Sequence, residues 1–225
     1  MSVVNNRESS DWAMYSASIG VKRMYYHQGS GFPYAAIWPT EINGTEPSVR
    51  GSYYGYILAS LAVGSTKDNT SGKRVATVLN DTSISAYALY SSPEWNDPPW
   101  YAGSSQDSAA NLTDDSWHLS DLAFLNLRPF NQTLPQSSRP SLAFLVGSEW
   151  NGAKIIRLTA PGSDTLPVTH GKAPYLESHS EEGLISIGCI TYESGHAERV
   201  QGCVEEVVTN GIVTVMDSEA VLISR

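Results

Sequence analysis

The spacing of apolar residues in the first part of the chain predicts a helix, a strand and a second helix. A short helix ends at Ser18, with Ser9 or Ser10 as its cap, and a buried strand follows at Val21–His27. The second helix, Tyr53–Val63, is apolar on nearly every face and therefore needs burial on several sides. One strand and two helices do not supply that burial, so this part resembles the last piece of a larger unit.

From Lys73 onward the pattern changes to short β-runs separated by turn residues. Asn210-Gly211 is the strongest turn signal and predicts a two-residue hairpin turn. Many short strands with no helix between them predict an antiparallel β-sandwich, so we expect a mainly β fold. The predicted strands are Arg74–Leu79, Ile84–Tyr90, Leu122–Leu127, Leu142–Val146, Lys154–Thr159, Leu184–Tyr192, Val200–Thr209, Ile212–Val215 and Ala220–Ile223.

Composition and charge narrow the class of protein. Hydrophobic residues make up 41% of the 225 residues, enough for a core, and no apolar run is long enough to cross a membrane. The net charge is −9 with no basic stripe to neutralise phosphates, so we expect no nucleic-acid partner. There is no nucleophile elbow, phosphate-binding loop or His/Cys metal spacing, so the sequence predicts neither a cofactor nor a metal site.

Glycosylation sequons suggest export. Asn-x-Ser/Thr occurs five times among the eleven asparagines, although a Ser/Thr-rich chain produces some sequons by chance. The first residues lack the apolar segment of a signal peptide. Either the chain is not exported or its true beginning lies upstream, and the sequons favour an extracellular glycoprotein. The predicted sites are Asn43, Asn69, Asn80, Asn111 and Asn131.

Several motifs, in order along the chain, carry a resemblance to a known family. KRMYYHQGSGFPYAAIWP and INGTEPSVRGSYYGYILAS resemble the eighth strand and eighth helix of the (β/α)8 barrel of glycoside hydrolase family 79. VLNDTSISAYALYSS, LAFLNLRPFNQT, RPSLAFLV and KIIRLTAPGSD resemble its C-terminal β-domain. The resemblance implies a barrel remnant over residues 1–66 and an accessory β-sandwich over residues 67–225.

The family contains β-glucuronidases and heparanase-like enzymes, which are retaining glycosidases. Their chemistry needs two carboxyl groups, and in the family these are glutamates at the ends of the fourth and seventh barrel strands, which would precede residue 1. Glu8 is the only candidate for one of them, and it lies too close to the strand at Val21 to fit a strand end, a loop and a helix. We therefore predict that this chain alone is inactive.

What remains of the site is part of the rim of the sugar pocket. The resemblance implies that Tyr34 matches a tyrosine that contacts the glucuronate carboxylate, and that His27 and Gln28 are further candidates for contacting the substrate. The alternatives are an aromatic ring that packs the loop, for Tyr34, and a histidine that bonds a backbone carbonyl, for His27. The chain would then bind a glucuronate-containing glycoside once the rest of the barrel is present.

A long segment between Ser91 and Leu119 departs from the family, which is generally short there. It contains the aromatic residues Trp95, Trp100, Tyr101 and Trp117. Such rings stack on sugars, but a segment rich in Trp and Pro more often packs on its own domain.

The two cysteines are predicted to form a disulfide. A hairpin centred near His196 places Cys189 opposite Cys203, within the distance that a disulfide allows. The alternative is a pair of buried thiols, which a reducing compartment preserves.

Two classes of function stay open: a truncated glycoside hydrolase, and a non-catalytic β-sandwich with a structural or carbohydrate-binding role. If the first 66 residues are a barrel remnant, their apolar faces are exposed and the chain self-associates. A chain beginning near Thr66 should then self-associate less than the full chain.

Overall fold

The structure is a computed structural model, and it describes most of the β-rich part of the chain and both helices. The described residues are 5–21, 23–26, 35–41, 48–49, 51–64, 73–91, 117–131, 133–160, 185–193, 196–199 and 203–225. Three layers are present in this part: a pair of helices, a large antiparallel sheet and a two-stranded antiparallel sheet. The predicted mainly β, antiparallel fold with two helices is confirmed.

The two helices end where the glycines predict. Helix α1 is Asn5–Ser18 and helix α2 is Gly51–Val63. Gly20 and Gly64 follow them with φ of 83° and 75°, a left-handed conformation that favours glycine. The start of α1 was predicted wrongly, because the helix begins at Asn5 rather than at Ser9 or Ser10. The hydroxyl of Ser10 instead donates to the carbonyl of Gly55 on α2, at 2.9 Å.

The strand predicted at Val21–His27 is also wrong in its described part. Val21 and residues 23–26 lie outside any strand, and His27 is outside the described residues. A strand requires a hydrogen-bonded neighbour, and none of the described strands pairs with this stretch. Two short strands follow instead, β1 (Ile37–Trp38) and β2 (Ser48–Val49), which pair antiparallel just before α2.

The strands of the β-rich part agree with the predicted runs except near the cysteines. The run predicted at Leu184–Tyr192 is two strands, because Gly188 turns the chain with φ of 58°. The run predicted at Val200–Thr209 contains only β11 within its described part. The strands are β3 (Arg74–Asn80), β4 (Ile84–Ser91), β5 (His118–Asn126), β6 (Ser141–Leu145), β7 (Lys154–Thr159), β8 (Ile185–Ile187), β9 (Ile190–Glu193), β10 (His196–Arg199), β11 (Glu206–Val207), β12 (Ile212–Met216) and β13 (Glu219–Ser224).

The large sheet has the strand order β10-β9-β8-β7-β13-β5-β4-β3, and β11 also pairs with β7. Strand β13, the last of the chain, lies between β5 and β7 and pairs antiparallel with both. The C-terminal strand therefore holds the two halves of the sheet together. Strands β6 and β12 form the separate two-stranded sheet.

Each face of the large sheet has its own core, as the alternation of side chains in a strand requires. One face packs against the helices, where Tyr54 and Leu58 of α2 meet Tyr87, Leu125 and Leu222 of the sheet, all buried. The opposite face packs against the small sheet. There Val213 and Val215 of β12 meet Phe124, Val221 and Ile223, and the rings of Phe124 and Phe144 stack with centroids 4.4 Å apart.

The helical core has a consequence for the domain organisation. Helix α2 precedes the predicted boundary near residue 66, yet its apolar face is buried on strands that follow that boundary. The boundary itself stays a prediction, and residues from both sides of it share one core.

Candidate functional site

The predicted pocket residues all lie in one connection between α1 and β1. Tyr34, His27 and Gln28 are outside the described residues, so their contacts with substrate stay a prediction. The structure describes the chain on either side of them, at Tyr26 and at Ala35. These two flanking residues are the last described residue before the predicted pocket residues and the first one after them.

Tyr26 anchors the beginning of the connection on α2. Its ring lies against Tyr56 with ring centroids 4.4 Å apart and an interplanar angle of 38°. Burial, followed by the proximity of Tyr56, raises the pKa of Tyr26 to about 12. Burial also raises the pKa of Tyr56, opposed by a hydrogen bond from Ser9 of α1. The ring pair therefore links the connection to both helices.

The far end of the connection is buried. Ala35 and Ala36 are 0% and 5% exposed, and the paired strands β1 and β2 follow directly. Residues 27–34 lie between these two described ends and are outside the described residues. Their sequence contains no carboxylate for acid–base chemistry.

Glu8 does not lie where a catalytic carboxylate is needed. It is within α1, three residues before Asp11, which Tyr87 contacts, and not at the end of a strand. Glu41 is exposed, while Glu46, Glu181 and Glu182 are outside the described residues. The hypothesis that Glu8 acts as a nucleophile therefore gains no support from its place in the fold.

The buried acidic groups in the described part of the chain have structural partners. The Tyr87 hydroxyl donates to Asp11 Oδ1 at 2.6 Å, and burial together with this bond raises the pKa of Tyr87. Asp121, 1% exposed, pairs with Lys73 at 2.6 Å. Asp217 accepts a hydrogen bond from the Asn126 amide at 2.9 Å. These groups join elements of the fold and leave no free acid–base pair.

A further network was missed by the sequence analysis and involves Arg157 of β7. Its guanidinium binds both oxygens of Glu206, at 2.6 and 3.0 Å, and one oxygen of Glu219 at 3.0 Å. It also donates to the Thr214 carbonyl, so it connects β7, β11, β12 and β13. The available signal was an arginine inside the apolar run KIIRLT, because a charge in such a run needs a partner.

The outer side of α1 and the residues after it carry exposed apolar side chains. Trp12 is 64% exposed, Ile19 60% and Tyr25 83%, with Tyr15 and Val21 also partly exposed. Helix α2, by contrast, has its apolar residues Tyr54, Leu58 and Ala62 fully buried. Self-association stays a prediction, and α1 rather than α2 is the surface on which it would rest.

The two cysteines are joined, although the argument that predicted their pairing was wrong. Cys189 and Cys203 form a disulfide with S–S 2.03 Å and Cα–Cα 5.7 Å. In the hairpin of β9 and β10, however, His196 faces Glu193 and Arg199 faces Ile190. That register does not place Cys189 opposite Cys203. Cys189 lies in the turn between β8 and β9, and Cys203 lies just before β11, so the bond connects two separate parts of the sheet.

The remaining candidates are the predicted glycosylation sites and the aromatic residues of the long segment, and only some of them lie within the described residues. Asn80 and Asn131 are exposed, whereas Asn43, Asn69 and Asn111 are outside the description. Trp95, Trp100 and Tyr101 are outside it too, and the ring of Trp117 lies 4.2 Å from the guanidinium carbon of Arg74.

The described part of the chain has neither a membrane-spanning helix nor a metal-binding cluster. Neither helix is long and apolar enough to cross a membrane. No group of three or more His, Cys, Asp or Glu side chains is arranged to hold a metal ion among these residues.

Comparison with known proteins gives a family match and one relative. Residues 112–222 match the model of the glycosyl hydrolase family 79 C-terminal beta domain. A beta-glucuronidase of Neurospora crassa is 28% identical over 185 residues, which cover 69% of this chain and 29% of the relative. The chain thus matches less than a third of the relative's length. No solved structure matches the chain significantly.

Proposed function

We propose that this chain is the C-terminal portion of a β-glucuronidase-like glycoside hydrolase, because residues 112–222 match the model of the family 79 C-terminal beta domain. In this proposal its β strands form the accessory domain and residues 27–34 form part of the rim of the sugar pocket. The two catalytic glutamates belong to barrel strands that this chain does not contain. The substrate is a glycoside that carries a glucuronate group.

The observation that supports the proposal most is the core shared by the helices and the sheet. Leu58 of α2 and Met14 of α1 are fully buried in the same cluster as Tyr87 and Leu125 of the sheet. An accessory domain that packs in this way holds the helices, and Tyr26, just before the segment that contains Tyr34, lies against Tyr56 of α2. This supports a role of the domain in positioning that segment.

The chemistry of the three rim residues suits a sugar acid. A phenol at Tyr34 donates one directional hydrogen bond to a carboxylate without adding a buried charge. His27 donates through a ring nitrogen, and Gln28 both donates and accepts, as sugar hydroxyls require. The chain's net charge of −9 gives no general attraction for an anionic sugar, so affinity depends on such placed donors.

We predict that the chain alone does not hydrolyse aryl β-glucuronides. A retaining glycosidase needs two carboxyl groups roughly 5 Å apart. Glu8 lies in α1 and not at the end of a strand. Hydrolysis by the purified chain, lost on Glu8→Gln, would contradict the proposal.

The positive test supplies the missing part of the enzyme. The chain is co-expressed with the part of the Neurospora relative that precedes the matching region, and turnover of an aryl β-glucuronide is measured. Tyr34→Phe should lower kcat/KM about tenfold or more, because it removes a hydrogen bond to a charged group. Tyr25→Phe, at a phenol that is 83% exposed, is the matched control and should leave kcat/KM unchanged.

A second measurement separates this function from the non-catalytic alternative. Binding of glucuronic acid to the chain alone is followed by NMR shifts, with the same two variants. Activity in the co-expressed pair that is insensitive to Tyr34→Phe argues against a role in the pocket. Binding without any activity in the pair favours a carbohydrate-binding β-sandwich.

A further inference from the structure

We propose that Asn80 carries an N-linked glycan and that this glycan shields an apolar patch at the outer edge of the large sheet. The patch consists of Val78 of β3 together with Ile19, which follows α1. The two side chains are 65% and 60% exposed. Asn80 is the last residue of β3 and is itself exposed.

The sequon Asn80-Asp81-Thr82 is presented at the tip of the hairpin of β3 and β4. The carboxylate of Asp81 accepts the amide of Ser83 at 2.8 Å, and the Asp81 amide donates to the Ile84 carbonyl at 3.0 Å. Asp81 and Thr82 are exposed as well. All three positions of the sequon are therefore accessible on a turn whose backbone is held in place, as an acceptor site requires.

Strand β3 is the outermost strand of the large sheet in the described part of the chain. A β-bulge between Thr77 and Leu79 leaves Val78 as the extra residue. An exposed edge strand with apolar side chains is a surface on which a second chain can pair, and proteins cover or charge such edges. The only charged side chain within β3 is Arg74 at its far end, and the next charged residue is Asp81, in the turn after Asn80.

The end of α1 adjoins the same strand. The hydroxyls of Ser18 and Thr77 are 2.7 Å apart, and each is followed in sequence by an exposed apolar residue, Ile19 and Val78. A branched oligosaccharide at Asn80, two residues beyond Val78, is large enough to cover both. The second described sequon, at Asn131, lies on the segment that follows β5, and β4 separates β5 from the edge strand β3.

The transfer needs a lipid-linked oligosaccharide diphosphate as the sugar donor. A bond forms between Nδ2 of Asn80 and C1 of the first sugar, and the bond between that carbon and the diphosphate oxygen breaks. The amide nitrogen loses one proton, and the lipid diphosphate leaves. No oxidation or reduction takes place.

The test directs the full chain into the secretory pathway of a eukaryotic host. Peptide mapping before and after enzymatic removal of N-glycans shows which asparagines are modified. We expect Asn80 to be occupied, and both Asn80→Gln and Thr82→Ala to lose the mass of one glycan. An unmodified Asn80 overturns the proposal, whatever the state of Asn131.

The shielding role is tested by sedimentation velocity on the same proteins. Asn80→Gln and Thr82→Ala should shift the chain towards larger species relative to the glycosylated protein, and Asn131→Gln should not. Adding Val78→Lys to Asn80→Gln should reverse the shift, since a charge on an edge opposes pairing. Unchanged sedimentation of both sequon variants, with the glycan lost, overturns the shielding role.

Discussion

The hydroxyl of Tyr87 forms a hydrogen bond that connects α1 to the sheet. It donates to the Asp11 carboxylate at 2.6 Å from the middle of β4. A second hydroxyl contact, Ser18 to Thr77 at 2.7 Å, joins the same two elements but is exposed. Because water competes more for an exposed hydrogen bond than for a part-buried one, the two contacts should differ in their contribution to stability.

We predict that Tyr87→Phe lowers the free energy of unfolding by about 1.5 to 3 kcal/mol, the range for a hydrogen bond to a charged group. Ser18→Ala, the matched exposed contact, should change it by about 0.5 kcal/mol or less. Urea denaturation followed by circular dichroism measures both. Equal effects of the two substitutions would show that the part-buried bond has no special role.

The raised pKa of Tyr26 predicts a loss of stability at high pH. Its pKa in the folded protein is about 12, above the value of about 10 in the unfolded chain. The unfolded state therefore loses its proton first, so the contribution of neutral Tyr26 is complete below about pH 10 and is lost as the pH rises towards 12. Tyr26→Phe should reduce the fall in unfolding free energy over that range. Tyr25→Phe, whose phenol is exposed, should leave the fall unchanged.

At the scale of elements, the strands β8, β9 and β10 are the part of the large sheet with the fewest attachments. β8 pairs with β7 through two residue pairs, Leu158 with Ile187 and Thr159 with Ser186. β9 and β10 pair only within this meander in the described part of the sheet. Within this meander, Ile187 lies in the core that the helices and the sheet share. The disulfide connects Cys189, in the turn after β8, to Cys203, just before β11.

We expect reduction of the disulfide to release this meander before the rest of the sheet. For two cysteines 14 residues apart, the chain-entropy model gives about 3 kcal/mol of stabilisation. Amide hydrogen exchange should therefore accelerate in β8–β10 of Cys189→Ser/Cys203→Ser, and less in β13 and β5. Uniform acceleration across all strands would contradict a local role. Two alkylatable cysteines in protein made under oxidising conditions would contradict the bond itself.

At the scale of the whole molecule, the core shared by helices and sheet reverses one expectation. The sequence suggested that a chain beginning near Thr66 would behave better than the full chain. In the structure, removing the helices exposes the face that contains Tyr87, Leu89, Leu125 and Leu222, each 2% exposed or less. That area of apolar surface exceeds what monomeric proteins usually expose.

We therefore predict that the chain beginning at Thr66 aggregates or binds hydrophobic dyes more strongly than the full chain. Within the full chain, Leu58→Asp should have the same effect, because it places a charge in the shared core. Leu61→Asp on the same helix is the control, since Leu61 is 45% exposed. Light scattering and dye fluorescence measure the three proteins. A monomeric, cooperatively unfolding shortened chain would contradict the shared core.

Local signals in the sequence predicted many of the element boundaries of this protein. The glycines after both helices, the turn at Asn210-Gly211 and the run Lys154–Thr159 predicted real boundaries, because each depends on backbone conformation or side-chain alternation over a few residues. The family motifs predicted a C-terminal β-domain, and residues 112–222 match the model of that domain. For the site, they named Tyr34 by analogy, which no local signal could have done.

Tertiary structure decided the features that depend on distant residues. Whether Val21–His27 is a strand depends on a neighbour to pair with, and the position of β13 between β5 and β7 depends on strands far apart in the chain. The partners of Arg157 come from three different strands, and the disulfide joins a turn to a segment that the hairpin register does not place opposite it. Periodicity in the sequence shows which side of a strand or helix is buried. It does not show what buries that side, because that depends on long-range packing, and here the helices and the sheet cover each other.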